Sequence, residues 1–311
     1  MYVKWKEHYL MGIAEFDSDH QKLFQIANKI IHTVESSNGM NEQSRIFAVR
    51  EGVKYLKAYF KEHARREEEY MRGIHYPDYV AHKRLHDEFQ YEHLARFEEI
   101  IERGTCTREE AFAFIGGEIG WLLEHVTSAD MAIVGKGILS HPPEAELNRQ
   151  ALEQEVNLMF TSSLNIHVDA RLLQTNYGGE PIGKAVYQKF LYKNGAEFLT
   201  VITGIEKSLM AGVAQLIYED LSDADMLILA SMELFGAAFW RTLGERLIQS
   251  RQELECQECH LLPQKQLREI FRRKIPNVSL LFQTSMGKFF VSVENQSWNT
   301  DQVDKILPHL T

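Results

Sequence analysis

The sequence predicts two domains: an all-α up-down four-helix bundle, followed by an α+β domain with an antiparallel sheet. The length of 311 residues is typical of a two-domain protein. Apolar residues recur with the helical period through four long stretches of the first half, whereas alternating patterns and hairpin signals occupy much of the second half. We predict domains at residues 1–139 and 156–311, joined by a linker and connecting helix over 140–155.

Four predicted helices form the bundle, over residues 18–36, 41–71, 77–103 and 107–134. Residue types that cap helix N-termini stand at or next to three of the starts: Asp17, Ser18, Asn41 and Thr107. Pro77 suits the first turn of the third helix, because its fixed φ fits a helix and its missing N–H is not needed there. The connections are short, which favours an up-down arrangement.

A new helical pattern begins at Glu144, after breaks at Gly135-Lys136-Gly137 and Pro142-Pro143. This helix either packs only on its own domain or also pairs across a dimer. Strand patterns follow at residues 168–174, 185–192, 197–203, 278–283 and 288–294. Hairpin signals join two pairs of these strands, at Lys193-Asn194-Gly195 and Thr284-Ser285-Met286-Gly287. Since the remaining stretches 205–218 and 223–250 are helical, we expect helices on one face of an antiparallel sheet.

Seven side chains of the first half have the spacing of a two-metal site inside a four-helix bundle: His20, His63, Glu67, His82, His86, His125 and Asp130. Four of them form i,i+4 pairs, which one helical turn brings side by side. His125 and Asp130 are five residues apart, about 7.5 Å along a helix axis, which suits a carboxylate that reaches a second ion. Five imidazoles and two carboxylates suit iron, manganese or zinc, and the lack of thiolate argues against a structural zinc site.

The predicted ligands lie in longer motifs, which run Trp5…Gly12-Ile13…Asp17-Ser18-Asp19-His20, His63-Ala64-Arg65-Arg66-Glu67-Glu68, Tyr76-Pro77…His82-Lys83-Arg84-Leu85-His86 and Trp121-Leu122…His125-Val126…Asp130. Over about residues 1–137 the chain resembles the bacterial hemerythrins, with every ligand position filled. The resemblance implies a non-haem di-iron site, with two Fe ions per chain bridged by oxo or hydroxo and by carboxylates.

The resemblance also implies a division of the ligands between the two irons. By it, one iron is held by His82, His86 and His125. The other iron is held by His20 and His63, and Glu67 and Asp130 bridge both. The two-histidine iron would keep a vacant position for a small gas ligand such as O₂ or NO.

The second half, over about residues 150–296, resembles the CheX/CheC-like chemotaxis phosphatases. The resemblance rests on Ala230-Ser231-Met232-Glu233-Leu234-Phe235-Gly236 and on Phe282-Gln283-Thr284-Ser285-Met286-Gly287-Lys288-Phe289. Those phosphatases use an E-x-x-N motif, in which Glu engages a CheY-like receiver and Asn positions the attacking water. Here Glu233 is present but Gly236 occupies the Asn position, and glycine cannot orient water through a side chain. We therefore assign no catalytic residue and expect little or no phosphatase activity.

Together these features favour a cytoplasmic sensor of O₂, NO or redox state in chemotaxis-type signalling. The di-iron bundle would bind the gas, and the second domain would form a homodimer and relay the change to a partner such as a CheY-like receiver. A fused second domain favours sensing over oxygen carriage, which needs only the bundle. Two alternatives stay open: a di-iron enzyme, such as a peroxidase or NO-handling catalyst, and a phospho-receiver phosphatase or scaffold.

Composition narrows the classes of partner. The net charge is −10, and nucleic acids and anionic membranes both favour basic surfaces, so we expect neither as a partner. No signal peptide or membrane-spanning segment is visible. Three cysteines do not make a disulfide framework. Cys256-Gln257-Glu258-Cys259-His260 matches the c-type haem attachment pattern, but without an export signal we favour two reduced thiols, with a redox-active or metal-binding pair as the alternative.

Overall fold

The computed structural model describes residues 2–36, 41–137, 139, 148–219, 225–248, 254–274 and 276–295. The chain forms two compact units. One comprises Met1–His141 and Gln215–Phe235, and the other comprises Pro142–Ala214 and Gly236–Thr311. Half of the predicted linker, at positions 140–147, lies outside the described residues, so the predicted domain boundaries stay predictions.

The first unit contains the predicted helical bundle. Its helices are α1 Ala14–Ser36, α2 Glu42–Gly73, α3 Tyr79–Glu88, α4 Leu94–Arg103, α5 Arg108–Glu124 and α6 Met131–Ile133. π-helical segments at Phe89–His93 and His125–Asp130 join α3 to α4 and α5 to α6, so four continuous helical stretches result. A 3₁₀ turn at Glu7–Tyr9 precedes them, and strand β1 at Tyr2–Val3 pairs with Tyr218–Glu219.

Two of the predicted helix caps are confirmed. The Asn41 side chain accepts a hydrogen bond from the Ser44 amide at 2.8 Å. Thr107 forms a capping box with Glu110, in which each side chain accepts from the other residue's backbone amide.

The predicted start of the first helix is wrong, because α1 begins at Ala14 and places Asp17 in its first turn. The Asp17 carboxylate instead accepts hydrogen bonds from the amides of Met11 at 2.8 Å and Gly12 at 3.1 Å. It therefore ties the segment before the helix to the helix itself.

The second part of the chain forms an antiparallel sheet of six strands, which confirms the predicted α+β domain. In chain order the elements that follow the bundle are α7 Arg149–Leu164, β2 Arg171–Gln174, β3 Ala185–Asn194, β4 Glu197–Glu206, α8 Lys207–Ile217, β5 Tyr218–Glu219, α9 Asp225–Ile248, β6 Glu255–Leu261, α10 Gln264–Arg273, β7 Val278–Thr284 and β8 Gly287–Asn295. The strand order is β2-β7-β8-β4-β3-β6, and β5 pairs only with β1. Both predicted hairpins are present, and β6 and α10 were not predicted.

Helices cover both faces of this sheet, so the expectation of helices on one face is wrong. Neighbouring residues of a strand point to opposite faces, which separates Phe289 from Phe290. Phe289 packs against Phe160 of α7 and Trp240 of α9, with ring centroids 6.0 and 5.8 Å away. Phe290 packs against Phe271 of α10, at 6.0 Å. The unpredicted helix α10 covers the second face.

Within the described ranges, no helix combines the length and the apolar character needed to cross a bilayer.

Candidate metal centre

All seven predicted ligands meet in the interior of the bundle, and none of them is more than 4% exposed. His20 lies on α1, and His63 and Glu67 lie on α2. His82 and His86 lie on α3, and His125 and Asp130 lie on the π-helical segment after α5. Side chains from all four helical stretches therefore converge on one buried place, which is where bundles hold metals.

The seven side chains form two overlapping groups. One group contains Glu67 with His82, His86 and His125. The other contains Glu67 and Asp130 with His20 and His63. Within each group the ligand atoms lie within 4.8 Å of one another. Because Glu67 belongs to both groups, the geometry describes two adjacent cation sites that share a carboxylate.

The ligand atoms of the three-histidine group lie close to one another. The Nε2 atoms of His86 and His125 are 3.0 Å apart. Nε2 of His82 and Nε2 of His86 each lie 3.2 Å from Oε2 of Glu67. Nitrogen lone pairs that converge with a carboxylate oxygen are the donor set of a bound cation.

Asp130 connects the two groups through its two oxygens. Oδ2 lies 3.0 Å from Nε2 of His20, and Oδ1 lies 3.0 Å from Nε2 of His125. Its carboxylate therefore faces a histidine of each group. The division of ligands between two irons stays a prediction.

The π-helical segment explains how His125 and Asp130 meet. On a regular α-helix, residues five apart point about 140° away from each other. A π-helical turn pairs residues i and i+5 and brings them to the same side. The sequence interpretation used the regular rise and expected Asp130 to reach a second ion, and it did not foresee the direct contact between the two side chains.

The buried polar atoms of this cluster fit a metal. Several make no hydrogen bond of good geometry within the described structure, among them both carboxylate oxygens of Asp130, Oε1 of Glu67 and the Nε2 atoms of His20 and His63. Unpartnered buried polar atoms are costly, and a coordinated cation removes that cost. The donor set therefore supports cation binding independently of sequence spacing.

The pKa shifts of the cluster also support cation binding. Burial raises the pKa of the Glu67 carboxyl, but the histidines around it, His125 and His63 foremost, hold that pKa well below its usual range. Burial lowers the pKa of His125, but Asp130 and Glu67 outweigh burial and raise it to about 10. In the metal-free protein His125 thus carries a proton that a metal ion would replace.

Carboxylates behind the ligands were missed by the sequence interpretation. Oδ2 of Asp19 lies 3.6 Å from Nδ1 of His63, and Oε1 of Glu68 lies 3.3 Å from Nδ1 of His86. Such carboxylates orient a metal-binding imidazole and increase its basicity. The signal was present, because each acid directly neighbours a predicted ligand in the sequence.

Asp19 is itself held from two sides. Tyr59 donates its hydroxyl to Oδ1 of Asp19 at 2.7 Å, and Arg66 forms an ion pair with Oδ2. These three residues also line a cavity at the surface of the bundle. The contacts fix the carboxylate that faces His63.

Aromatic rings pack against two members of the three-histidine group. The indole of Trp121 stacks on His125, with centroids 4.3 Å apart and an interplanar angle of 15°. Phe60 meets His86 edge-on at 5.5 Å. These rings limit the rotation of the imidazoles and keep water from this side of the cluster.

The residues expected to matter in the second domain lie in α9. The backbone of Glu233 is helical, and its side chain lies outside the described residues. Gly236 is buried, and a Cβ added there would lie 3.5 Å from Oε1 of Gln188 and from Nε1 of Trp240. Position 236 therefore faces the sheet of its own domain.

Comparison with known proteins gives matches for both halves. Residues 11–136 match the hemerythrin HHE cation-binding domain. Bacteriohemerythrin of Clostridium acetobutylicum is 28% identical over 127 residues, which cover 40% of this chain and 94% of that protein. Bacteriohemerythrin of Stenotrophomonas maltophilia is 25% identical over 151 residues, which cover 49% of this chain and 88% of that protein.

A structural match concerns a CheC-like superfamily protein from Shewanella sp. PV-4. It covers 46% of this chain and 92% of that chain, with a TM-score of 0.32 and 9% identity. The family match at residues 11–136 coincides with the helices that carry the buried ligands. Residues 11–136 of this chain are a hemerythrin HHE cation-binding domain, with a two-metal site built from histidine, glutamate and aspartate.

Proposed function

We propose that this site holds two iron ions and that the protein is a cytoplasmic sensor of O₂, NO or redox state. The observation that carries the proposal is the sharing of carboxylates. Glu67 belongs to both ligand groups, and the two oxygens of Asp130 face histidines of different groups. Two adjacent ions with mixed nitrogen and carboxylate ligands are typical of non-haem iron.

The ligand groups differ in a way that suits gas binding. The group with His82, His86 and His125 has three imidazoles, whereas the group with His20 and His63 has two. If Glu67 and Asp130 are shared by both ions, an ion in the second group would have one imidazole fewer and would keep a position for a small molecule. When bound, the irons would supply reversible redox chemistry and an attachment point for O₂ or NO.

The residues of the chain have defined tasks around that chemistry. Asp19 holds the Nδ1 side of His63, so that the opposite nitrogen points into the site. Trp121 and Phe60 fix the rings of His125 and His86 and exclude water. Glu67 and Asp130 supply the negative charge that offsets the charge of buried cations.

The second domain favours a sensor over an oxygen carrier, because carriage needs only the bundle. Binding at the bundle can alter the second domain only if the gas binds one conformation of the whole protein more tightly than another. We propose that the second domain forms a homodimer and relays this change to a CheY-like receiver in chemotaxis-type signalling.

Iron content and gas binding test the first part of the proposal. The protein would be prepared anaerobically, its metals quantified, and its optical spectrum recorded on addition of O₂, NO or, after oxidation, azide. We expect two irons per chain and a spectral change with each ligand that binds. Zinc or manganese in place of iron, or a single ion per chain, would contradict the di-iron proposal.

Sensing requires a separate measurement, because gas binding alone also fits a carrier or an enzyme. Hydrogen exchange of residues 148–295 would be compared with and without O₂, in the iron-loaded protein and in the His20→Ala variant. We expect a change that the variant lacks. Steady-state turnover of peroxide or NO with a reductant would favour the enzyme alternative instead.

The phosphatase alternative gains no support from Gly236. An asparagine at this position would begin in contact with Gln188 and Trp240 and not at an outward surface. The assembly proposal is tested by light scattering of the intact protein, where a homodimer has twice the chain mass of 36.1 kDa. A single species of 36.1 kDa would contradict it.

A further inference from the structure

Two cysteines of the C-X-X-C motif lie on β6, the edge strand of the six-stranded sheet. Cys256 is exposed and Cys259 is half-buried, and both are thiols in the structure. Side chains alternate between the faces of a regular strand, so residues three apart point to opposite faces. On a regular strand these two thiols could not meet.

A bulge in β6 places them on the same face. Cys256 pairs with Tyr192 and Cys259 pairs with Phe190, whereas Gln257 between them pairs with no residue of β3. An extra residue of this kind is a β-bulge, which shifts the alternation by one position. Tyr192 and Phe190 are two residues apart and share a face, and their rings stack at 5.8 Å. Their partners Cys256 and Cys259 therefore also share that face.

The register sets the separation of the two cysteines. Positions two apart on the facing strand are about 6.7 Å from each other. Disulfides bridge Cα atoms that are about 4.4–6.8 Å apart and Cβ atoms that are about 3.5–4.5 Å apart, so closure requires β6 to draw the two side chains together at the bulge. In the described sheet β6 pairs only with β3, so it can shift slightly without disturbing a second strand.

We propose that Cys256 and Cys259 are a site of reversible oxidation by hydrogen peroxide, and that they close to an intrachain disulfide. The exposed thiolate of Cys256 attacks the peroxide, the O–O bond breaks, and a sulfenic acid forms while hydroxide takes up a proton and leaves as water. The thiolate of Cys259 then attacks that sulfur, the S–S bond forms as the S–O bond breaks, and the hydroxide that leaves takes up a proton to give a second water. The two thiols are oxidised by two electrons and the peroxide is reduced.

This disulfide would be easily reduced, because exposed bonds and bonds near the limit of their geometry have more oxidising potentials. Cys106 cannot take part in it. It is fully buried in the bundle, where burial raises the pKa of its thiol and so keeps it protonated. The chain thus provides an internal reference thiol.

Thiol counting and peptide mass spectrometry on the full-length protein test the proposal. After hydrogen peroxide, we expect the three thiols of the chain to fall to one, with a peptide that carries Cys256 and Cys259 lighter by two hydrogen atoms. A thiol reductant should restore all three. Persistence of three thiols, or a disulfide between two chains, would overturn the proposal.

A matched variant tests the role of the bulge. Cys256→Ser combined with Glu258→Cys keeps two thiols on the same exposed strand but places them on adjacent positions, and therefore on opposite faces. We expect this variant to form no intrachain disulfide, as with Cys259→Ser alone. If it closes as readily as the natural sequence, the shared face is not the cause. The readout is independent of the metals, so its failure would leave the di-iron proposal untouched.

Discussion

His125 and Asp130 are five residues apart in the sequence, yet Nε2 of the first lies 3.0 Å from Oδ1 of the second. The contact depends on a π-helical segment at the end of α5. A helix of regular pitch would turn the aspartate away from the histidine. The metal centre thus depends on a departure from ideal helix geometry as well as on the choice of ligands.

Glu67→Gln should remove metal from both sites. The change keeps the size of the side chain but removes the charge that both ligand groups share. We expect metal content to fall from two ions per chain to below one, measured by elemental analysis of protein prepared with iron. The control is His75→Ala, which alters an exposed histidine outside both groups. Equal metal loss in the two variants would disprove the ligand set.

Asp19→Asn should weaken metal binding without removing a ligand. The carboxylate that faces Nδ1 of His63 would become a neutral amide. Loss of such a partner typically costs about 10- to 100-fold in metal affinity. Competition with a chelator measures the change. Glu15→Gln is the matched control, because Glu15 also contacts Arg66 but is exposed. If both variants bind metal equally well, Asp19 does not position His63.

Metal uptake should release protons at neutral pH. The pKa of His125 is about 10 in the metal-free protein, so its imidazole is protonated at pH 7 and must lose that proton to bind a metal. Calorimetry in buffers of different ionisation enthalpy counts the released protons, and we expect at least one per chain. Affinity should therefore rise with pH up to about 10. Binding without proton release would contradict this assignment.

The same proton stabilises the metal-free fold. The pKa of His125 is raised from 6.5 to about 10 on folding. Its contribution to the free energy of unfolding is therefore complete below pH 6.5 and is lost as the pH rises towards 10. Denaturant unfolding of the metal-free protein, compared with a His125→Gln variant, should show this slope only with the histidine present.

Gly52→Ala should destabilise the bundle. A Cβ at this position of α2 would lie 2.6 Å from Phe114 and 2.9 Å from Ile30. Overpacking of a core typically costs about 1–3 kcal/mol. Gly73→Ala is a control in the same helix, because no atom lies within 4 Å of a Cβ added there. Thermal unfolding should show a lower Tm only for Gly52→Ala, and equal Tm values would show that the core at Phe114 adapts.

The sequence predicts the bundle and its ligands well because both depend on helical spacing. His63 with Glu67, and His82 with His86, need only one regular turn to converge. The π-helical segments are harder to predict, because each shifts the helical phase by about one residue within only five or six residues. The one sequence feature that fits the π-helical segment at His125–Asp130 is the separation of five residues between these two ligands.

The second domain was harder to predict where strands lack alternation. β6 is an edge strand with mostly exposed residues, so its buried and exposed positions do not alternate. The bulge at Gln257 disturbs the pattern further. Helix α10 is only ten residues long, and its two buried residues, Leu267 and Phe271, lie one turn apart, so it was overlooked. Its omission led to the wrong expectation of a sheet with one bare face.

The carboxylate of Asp17 gives the residues before α1 a structural task. It is buried, and its donors are the amides of Met11 and Gly12. Trimming the chain to the helix start would leave this charge without either donor, at a cost of about 1–3 kcal/mol for each unsatisfied buried group. Asp17 lies about one helical turn before the ligand His20 on the same helix, α1. For anyone shortening the protein or attaching a tag, these leading residues belong to the metal-binding domain and are not a dispensable extension.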